Sequence, residues 1–241
     1  MKINKWPKLF NNKNFLYTKN SLNIYNSGDF ITRSFKLSKI INHNLNFKKY
    51  IQLTNFIKKI TFIKKEDSLL DFGSGNGAFL YFFINKLKLK KNVSFEISMP
   101  LLEVQKKFIK KTFFTNNIKS IKKNSVDHSI SYSVFQYFKS NNHAKNILNN
   151  LIRVTKKNVV LFDIKNNKLK NKFKLNQRIK QGLTEIDYQK KYRNLPYRFY
   201  SKKFFIDFVK NKRTKRKINF YNMPKVSLDY KFGYCVKISK I

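Results

Sequence analysis

Three glycines at alternate positions, Gly73, Gly75 and Gly77, separate two apolar segments of different length. The segment before them, residues 68–72, is short and apolar, which predicts a buried strand. The segment after them, residues 78–87, is longer and predicts a buried helix. Glycines free the backbone for a tight turn, so a ligand can approach the main chain where the helix N–H groups begin. The sequence therefore predicts a strand–turn–helix unit with a ligand site at its turn.

The rest of the chain continues this alternation. Strands are predicted at 93–97, 112–115, 126–132 and 159–164, and helices at 101–109 and 144–154. Such alternation implies right-handed crossovers and a parallel sheet covered on both faces. After a helix at 204–208, strands at 218–221 and 234–238 are close enough in sequence for an antiparallel pair. We therefore predict an α/β fold: a Rossmann-like, seven-stranded, mostly parallel sheet with helices on both faces and an antiparallel C-terminal hairpin.

Positive charge dominates the composition: 53 Lys and Arg stand against 12 Asp and Glu, for a formal net charge of +41. Arg is rare, whereas Lys, Asn, Ile, Phe and Tyr are abundant, which is the pattern that A/T-rich codons produce. Nucleotide bias therefore explains the lysines without a partner, although it explains the shortage of acids less well. A field this positive attracts polyanions whatever its origin, so the basic surface leaves nucleic acid open as a partner.

Other features of the composition exclude several classes of protein. Cys235 is the single cysteine, so no intrachain disulfide forms and a reducing compartment is compatible. No uncharged apolar run reaches the roughly eighteen residues of a membrane span. The Lys-rich N-terminus lacks the apolar block of a secretory signal. We expect a cytoplasmic protein with no membrane span and no metal site.

Two acids stand out in this acid-poor chain. Asp71 lies two residues before Gly73, and Glu96 lies at the end of the second predicted strand. A carboxylate at that strand end suits the hydroxyls of an adenosine ribose, in dinucleotide sites and S-adenosylmethionine sites alike. Gly73, Gly75 and Ala78 also fit the dinucleotide pattern G-x-G-x-x-G/A, which leaves an NAD-dependent reductase open. Asp71 favours a ligand with a cationic end over a pyrophosphate.

Four segments together resemble one enzyme family. They are LLDFGSGNGAFL at 69–80, VSFEISMPLLEVQKK at 93–107, SVDHSISYSVFQYF at 125–138 and HAKNILNNLIRVTKKNVVLFDI at 143–164. They resemble the class I S-adenosylmethionine-dependent methyltransferases of the type 11 group. A weaker resemblance continues in YRFYSKKFF at 197–205 and in the last strands. The resemblance implies an enzyme that transfers a methyl group from S-adenosylmethionine.

A change in amino-acid composition divides the chain into two parts. Residues 1–65 are basic and Asn/Lys-rich, with helical patterns at 37–41 and 50–60, and we expect a helical N-terminal cap there. Residues 66–241 then form the methyltransferase domain. Within it, the basic and aromatic segment 165–200 interrupts the pattern, and we expect an insertion on the substrate side.

The resemblance also implies roles for the residues of the glycine turn. Asp71 would organise the loop and face the amino group of the methionine moiety. Gly73, Gly75 and Gly77 would lie under the methionine moiety and the ribose. Glu96 would hold the ribose hydroxyls. These five positions match the motif of the family in this sequence.

The adenine end of the site departs from the family. Ile97 would pack on the adenine. The family usually has an acid after the third strand, but here Asn116 and Asn117 stand at that place. Because an Asn carbonyl accepts the same hydrogen bond, either residue can take the role.

The sequence offers few catalytic groups. Asp163, at the carboxyl end of the fifth strand, and His143, at the start of a helix, are the two candidates for a general base; a structural or surface role is open for both. No Asn/Asp-Pro-Pro-Tyr/Phe stretch follows the fourth strand at 131–134. We therefore expect a small-molecule or carbohydrate acceptor. The rivals are an RNA methyltransferase and a non-catalytic basic module that binds nucleic acid. Asp127 and His128 are expected to be structural.

Overall fold

A computed structural model describes residues 47–241, apart from residues 90, 194–196, 212–214 and 228. Its α-helices are α1 (Phe47–Thr61), α2 (Ala78–Leu87), α3 (Met99–Phe108), α4 (Asn141–Val154), α5 (Lys170–Lys180), α6 (Glu185–Tyr192) and α7 (Lys202–Lys210). Its strands are β1 (Leu69–Phe72), β2 (Asn92–Phe95), β3 (Thr112–Thr115), β4 (Val126–Tyr132), β5 (Thr155–Lys165), β6 (Arg216–Asn222) and β7 (Gly233–Lys240). The helix predicted at 37–41 lies outside the described residues.

The strands form one sheet in the order β3-β2-β1-β4-β5-β7-β6. β1 to β5 are parallel, and β7 runs antiparallel to both β5 and β6. The strand order reverses at β1, with β2 on one side and β4 on the other. The carboxyl ends of β1 and β4 therefore border the crevice in which open α/β sheets bind ligands. The predicted Rossmann-like sheet with an antiparallel C-terminal hairpin is confirmed.

Both faces of the sheet are covered, which explains the short continuous apolar runs in its strands. Side chains of β5 alternate between two apolar cores. Val160 and Phe162 pack with α1 and α2 on one face. Val159 and Leu161 pack with α4 and α7 on the other. The helices thus hold the sheet from both sides and leave the ends of its strands for the site.

The sequence pattern predicted helix α1 well but placed the start of β5 too late. The helix predicted at 50–60 is confirmed by α1, whose Leu53 and Ile57 are buried in the core that α2 shares. The division of the chain at residue 66 stays a prediction. β5 begins at Thr155, four residues before the predicted start, because α4 passes directly into it and Thr155 already pairs with Val126 of β4. The exposed Lys156 and Lys157 hide this start in the sequence.

The segment 165–200 contains α5 and α6, which follow β5 and precede α7. In the part of the chain that the structure describes, no helix is long and apolar enough to cross a membrane.

Candidate functional site

The glycine turn between β1 and α2 has a left-handed backbone at all three glycines, with φ of 72° at Gly73, 58° at Gly75 and 81° at Gly77. A Cβ on Gly73 would lie 2.5 Å from the Val134 side chain, and a Cβ on Gly77 would lie 2.5 Å from the Ile109 side chain. No atom lies within 4 Å of a Cβ built on Gly75. The outer glycines therefore permit close packing, whereas Gly75 borders open space at the crevice.

The N–H groups of this loop distinguish between the ligands that the sequence left open. Five of them already donate to acceptors inside the protein, namely those of residues 73, 74, 75, 77 and 78. Phe95 O accepts two of these bonds, at 2.8 and 3.1 Å, and Glu96 Oε2 accepts a third at 2.8 Å. A pyrophosphate site needs such groups turned towards the ligand. The loop is therefore poorly suited to a dinucleotide.

Asp71 is a buried acid at the crevice with an unpartnered atom. It lies in β1 with its side chain 2% exposed, and its Oδ2 has no hydrogen-bond partner. Burial, together with the nearby Glu96 carboxylate, raises the pKa of Asp71 to about 7. A buried carboxyl oxygen without a partner is costly unless a ligand supplies a donor. A cationic group such as an ammonium fits this position.

Glu96 follows β2 and is also buried. Its Oε1 accepts the Ser98 N–H at 3.0 Å, and its Oε2 accepts the Gly75 N–H at 2.8 Å. Burial raises the pKa of Glu96, although these bonds oppose the shift. A carboxylate has about four acceptor positions, so Glu96 can still accept hydrogen bonds from ligand hydroxyls.

Apolar side chains are exposed next to Glu96. Ile97 is 44% exposed and Met99 is 47% exposed. Asn116 donates from its amide nitrogen to Met99 Sδ at 3.3 Å, which places it beside this surface. The Asn117 amide oxygen instead accepts the Lys119 N–H at 3.0 Å and caps a short 3₁₀ helix. Of the two asparagines, Asn116 is thus the better placed to meet a planar ligand group.

The other side of the crevice is formed by the ends of β4 and β5. The Asp163 carboxylate accepts hydrogen bonds from the Ser133 hydroxyl and from Lys165 Nζ, the latter at 2.7 Å. Burial raises the pKa of Asp163, and Lys165 opposes the shift. Lys165 is itself only 3% exposed and lies 5.2 Å from the centre of the Phe173 ring. Both carboxyl oxygens of Asp163 are therefore already engaged.

An aromatic cap lies over this end of the sheet, formed by Tyr137, Phe173, Tyr197, Phe199 and Phe232. Phe173 stacks on Tyr197 with ring centres 5.3 Å apart, and Tyr197 meets Tyr137 edge-on at 6.0 Å. Phe199 and Phe232 each meet Phe173 at 5.5 Å. Segment 165–200 supplies three of these rings, so it covers the residues at the end of β5.

The two histidines that the structure describes, His143 and His128, lie at opposite ends of the sheet. His143 is in the first turn of α4, where its ring lies 4.9 Å from Phe138, and burial lowers its pKa. His128 contacts Asp67 at the amino end of β4, at 3.2 Å. Asp127 accepts hydrogen bonds from Ser68 there. Among the described residues no group of three or more His, Cys, Asp or Glu could hold a metal ion.

The sequence did not single out Gln105, a fully buried residue of α3 that contacts the glycine loop. A signal was present. Leu102 on α3 and Ile109 directly after it are buried, and Gln105 lies between them at helical spacing. A polar residue on an apolar stripe of this kind needs buried partners.

Comparisons with known proteins agree with this geometry. Residues 70–163 match the family model of the methyltransferase domain called type 11. No curated protein matches the sequence. The fold is similar to that of magnesium protoporphyrin IX methyltransferase from Synechocystis PCC 6803 with bound S-adenosylhomocysteine, at 11% identity and a TM-score of 0.61, with 98% of each chain covered.

Two further solved structures are similar. An S-adenosylmethionine-dependent methyltransferase from Methanosarcina mazei has 14% identity and a TM-score of 0.56, over 76% of this chain and 96% of that one. The small RNA methyltransferase HEN1 has 15% identity and a TM-score of 0.56, over 78% of this chain and 25% of that one.

The matched residues run from Leu70 in β1 to Asp163 in β5 and so include the glycine loop, Asp71 and Glu96. The match to a methyltransferase domain favours this enzyme class over the NAD-dependent reductase and the non-catalytic module. The N–H groups of the glycine loop are bonded inside the protein, and Asp71 Oδ2 has no donor. Both features suit the cationic amino-acid part of S-adenosylmethionine better than a pyrophosphate. Residues 70–163 carry a type 11-like methyltransferase domain, so the chain is an S-adenosylmethionine-dependent methyltransferase and S-adenosylmethionine is its cofactor.

Proposed function

We propose that this methyltransferase acts on a small molecule or a carbohydrate and holds its cofactor at the carboxyl ends of β1, β2 and β3. Asp71 receives the ammonium group of the methionine moiety, which gives its unpartnered Oδ2 a donor. Glu96 accepts hydrogen bonds from the ribose hydroxyls. Gly73, Gly75 and Gly77 allow the ligand to lie against the main chain.

The adenine lies over the exposed Ile97 and Met99 in this proposal. The Asn116 carbonyl takes the place of the acid that the family usually has, and the exposure of these side chains supports this arrangement. Asn117 contributes indirectly, because it caps the 3₁₀ helix that follows β3.

Bound S-adenosylmethionine supplies an electrophilic methyl group on its sulfonium. The remaining task of the protein is to align the attacking atom with the C–S bond and to exclude water. The aromatic cap is the observation that carries our choice of acceptor. It covers the ends of β4 and β5 with rings, and the buried cation below it, Lys165, is neutralised by Asp163. An apolar, internally neutral cover suits a compact acceptor better than a phosphate backbone.

A hydroxyl acceptor would also need a general base. Asp163 and His143 remain our two candidates. Burial raises the pKa of Asp163, which favours proton uptake, but its bonds to Ser133 and Lys165 must loosen first. His143 has a lowered pKa and so is neutral near pH 7, the form that accepts a proton.

A second candidate is an RNA methyltransferase. A cleft of about 470 Å³ lies beside the cap and is lined by basic, amide and aromatic side chains, among them Lys170, Arg198, Asn141 and Phe199. Basic grooves with aromatic rings are typical of single-stranded nucleic acid sites. Arg198, however, already donates to Phe138 O at 2.9 Å and to Lys139 O at 2.5 Å. The similarity to HEN1 is the other support for this candidate.

One experiment separates the two acceptor classes. The purified protein is incubated with methyl-labelled S-adenosylmethionine and a cell extract, with and without nuclease, and the products are separated by size. We expect label in the low-mass fraction, unaffected by nuclease. Label that disappears entirely after nuclease treatment would favour the RNA methyltransferase.

A variant pair tests the aromatic cap in the same assay. Tyr197→Ala should lower the rate of methyl transfer while S-adenosylhomocysteine binding stays unchanged. Phe113→Ala, on the exposed edge strand β3, is the matched control and should change neither. Equal transfer rates in the wild type and Tyr197→Ala would argue against an acceptor under the cap.

A further inference from the structure

Gln105 lies inside a closed ring of hydrogen bonds between α3, β2 and the glycine loop. Its Nε2 donates to Ser74 Oγ at 2.9 Å, and its Oε1 accepts from Ser94 Oγ at 2.6 Å. Ser74 Oγ and Ser94 Oγ lie 2.7 Å apart. Because Ser94 donates its proton to Gln105, Ser74 donates to Ser94 and closes the ring.

The second amide proton of Gln105 reaches the backbone of the loop, with Nε2 2.7 Å from Gly75 O. A carbonyl oxygen only accepts hydrogen bonds, so the amide nitrogen must face it. This contact fixes the orientation of the whole side chain. Gln105 is fully buried, as is Ser94, so water cannot replace these bonds.

The two ends of Gly75 are thereby held by two different side chains. Its carbonyl is held by Gln105, and its N–H donates to Glu96 Oε2 at 2.8 Å. Gly75 has a φ of 58° and no atom within 4 Å of the position of a Cβ. No side chain packs at the position of a Cβ on Gly75, so the bonds from Gln105 and to Glu96 are the side-chain contacts that hold its backbone.

We propose that Gln105 is a positioning residue for the cofactor: by holding the Gly75 carbonyl it keeps the Gly75 N–H on Glu96, and so holds the Glu96 carboxylate ready for the ribose. This rests on the proposed place of Glu96 at the ribose. Gln105 does not touch the cofactor itself. Its effect is therefore confined to the adenosyl part of the ligand and requires Glu96.

Two ligands separate this role from that of Asp71. S-adenosylhomocysteine carries the adenine, the ribose and the amino acid, whereas 5′-methylthioadenosine carries the adenine and the ribose but no amino acid. Gln105→Met removes both hydrogen bonds that the amide donates. It should lower the affinity for both ligands by the same factor, about tenfold or more, because the Glu96 carboxylate is no longer held in place for the ribose. Asp71→Asn should weaken S-adenosylhomocysteine alone. Affinities are measured by calorimetric titration.

Gln105→Glu keeps the volume and the acceptor for Ser94 but loses the donors to Gly75 O and Ser74, so it should weaken both ligands as well. Ser94→Ala removes one hydroxyl of the ring and should give a smaller loss of the same kind, should the larger changes prevent folding. Ser129→Ala is the matched control. It also removes a fully buried serine hydroxyl, one bonded to Thr155 Oγ1. It should lower the melting temperature without changing either affinity.

A double variant tests the route through Glu96. In Glu96→Ala the ribose contact is already lost, so adding Gln105→Met should cause little further loss. Additive losses would overturn the proposal, and so would unchanged affinities in Gln105→Met and Ser94→Ala. If Ser129→Ala loses as much ligand affinity as the Gln105 variants, the role of Gln105 is only structural, and the proposal is overturned as well. If Glu96→Ala alone leaves both affinities unchanged, the place of Glu96 at the ribose fails instead.

Discussion

The Ser133 hydroxyl donates a hydrogen bond to the Asp163 carboxylate across the ends of β4 and β5. Both residues have a φ of 56°, in the left-handed region that residues with a Cβ rarely adopt. Such backbone strain collects at functional sites and is kept only where the surroundings enforce it. The buried Lys165 ammonium lies 2.7 Å from the Asp163 carboxylate. These contacts shape this end of the sheet, and we expect them also to stabilise the fold.

Asp163→Asn tests this double role. It leaves the Lys165 ammonium buried, with the Asp229 carboxylate at 3.8 Å as its nearest remaining acid among the described residues. We expect the free energy of unfolding in urea to fall by about 3 kcal/mol. Asp163→Asn/Lys165→Met removes both charges and should recover most of that loss. A single variant as stable as the wild type would show that the ion pair contributes nothing.

Cofactor affinity should depend on pH through Asp71. Its pKa is raised to about 7, so much of the cofactor-free protein carries a neutral Asp71 below that pH. Binding of an ammonium group favours the ionised carboxylate, so a proton must leave. Affinity for S-adenosylhomocysteine should therefore rise as the pH increases from about 6 to 8 and then level off.

Calorimetry in two buffers of different ionisation enthalpy measures that proton directly. Near pH 6 we expect the wild type to release close to one proton for each ligand bound. Asp71→Asn should release no proton and should bind the ligand more weakly. Wild-type affinity that does not change over this range would place the ammonium group elsewhere.

His128 should make the fold sensitive to acid. Its Nδ1 faces the Asn158 amide nitrogen at 3.2 Å, because the Asn158 oxygen accepts from Ser239. An imidazole that accepts at Nδ1 and contacts Asp67 through Nε2 is neutral. Burial lowers the pKa of His128, and the bond to Asp67 only partly offsets the shift.

The unfolded chain takes up a proton at His128 near pH 6.5, whereas the folded chain resists it. The contribution of His128 to stability is thus present above that pH and is lost as the pH falls below it. Asp71 acts in the opposite sense, so the measurement is the difference in unfolding free energy between the wild type and His128→Gln. We expect this difference to shrink between about pH 7 and 5. A constant difference would mean that His128 does not titrate on unfolding.

Much of the fold could be predicted because local pattern and topology agree. The glycine turn lies between a buried strand and a buried helix, and all seven predicted strands are present. The start of β5 was missed because its first residues, TKKN, carry no apolar alternation. Those residues join the sheet through backbone pairing with β4, and such pairing leaves no signal in side-chain hydropathy.

The site was predictable only in part, for a related reason. Asp71 and Glu96 could be singled out because acids are scarce and both stand at strand ends. The pairing of Asp163 with Lys165 was not anticipated, although residues two apart on a strand share a face. The ring of Gln105, Ser74 and Ser94 depends on how α3 lies against the loop, and sequence spacing alone does not specify that packing.

The glycines of the turn should differ in what they tolerate. Gly77→Ala adds a Cβ 2.5 Å from Ile109 Cδ1 and 2.8 Å from Gln105 Cγ, so these side chains must shift and the packing around Gln105 is disturbed. Gly75→Ala meets no atom within 4 Å and suffers only the left-handed backbone, at about 1–2 kcal/mol. Thermal unfolding should therefore show a larger loss for Gly77→Ala. S-adenosylhomocysteine binding should weaken in Gly75→Ala as well, because its new methyl group projects into the crevice. Equal stability losses would argue against the tight packing at Gly77.

Glu96→Ala should weaken cofactor binding and also lower stability somewhat, because the Gly75 and Ser98 N–H groups lose their acceptor. The carboxylate is buried beside the crevice, and bonds from two ribose hydroxyls to a charged acceptor are worth about 1.5–3 kcal/mol each. Two such bonds amount to about 3–6 kcal/mol, so we expect affinity for S-adenosylhomocysteine to fall by roughly a hundredfold or more, since 1.4 kcal/mol is a factor of ten. Glu96→Asp keeps the charge with a shorter reach and should be milder. Glu103→Ala on α3 is the control, because Glu103 is exposed and pairs only with Lys106, at 2.8 Å, among the described residues. In calorimetric titration, Glu103→Ala should bind S-adenosylhomocysteine with the same affinity as the wild type. If Glu96→Ala also matches the wild type, the ribose lies elsewhere and the proposed orientation of the cofactor is wrong.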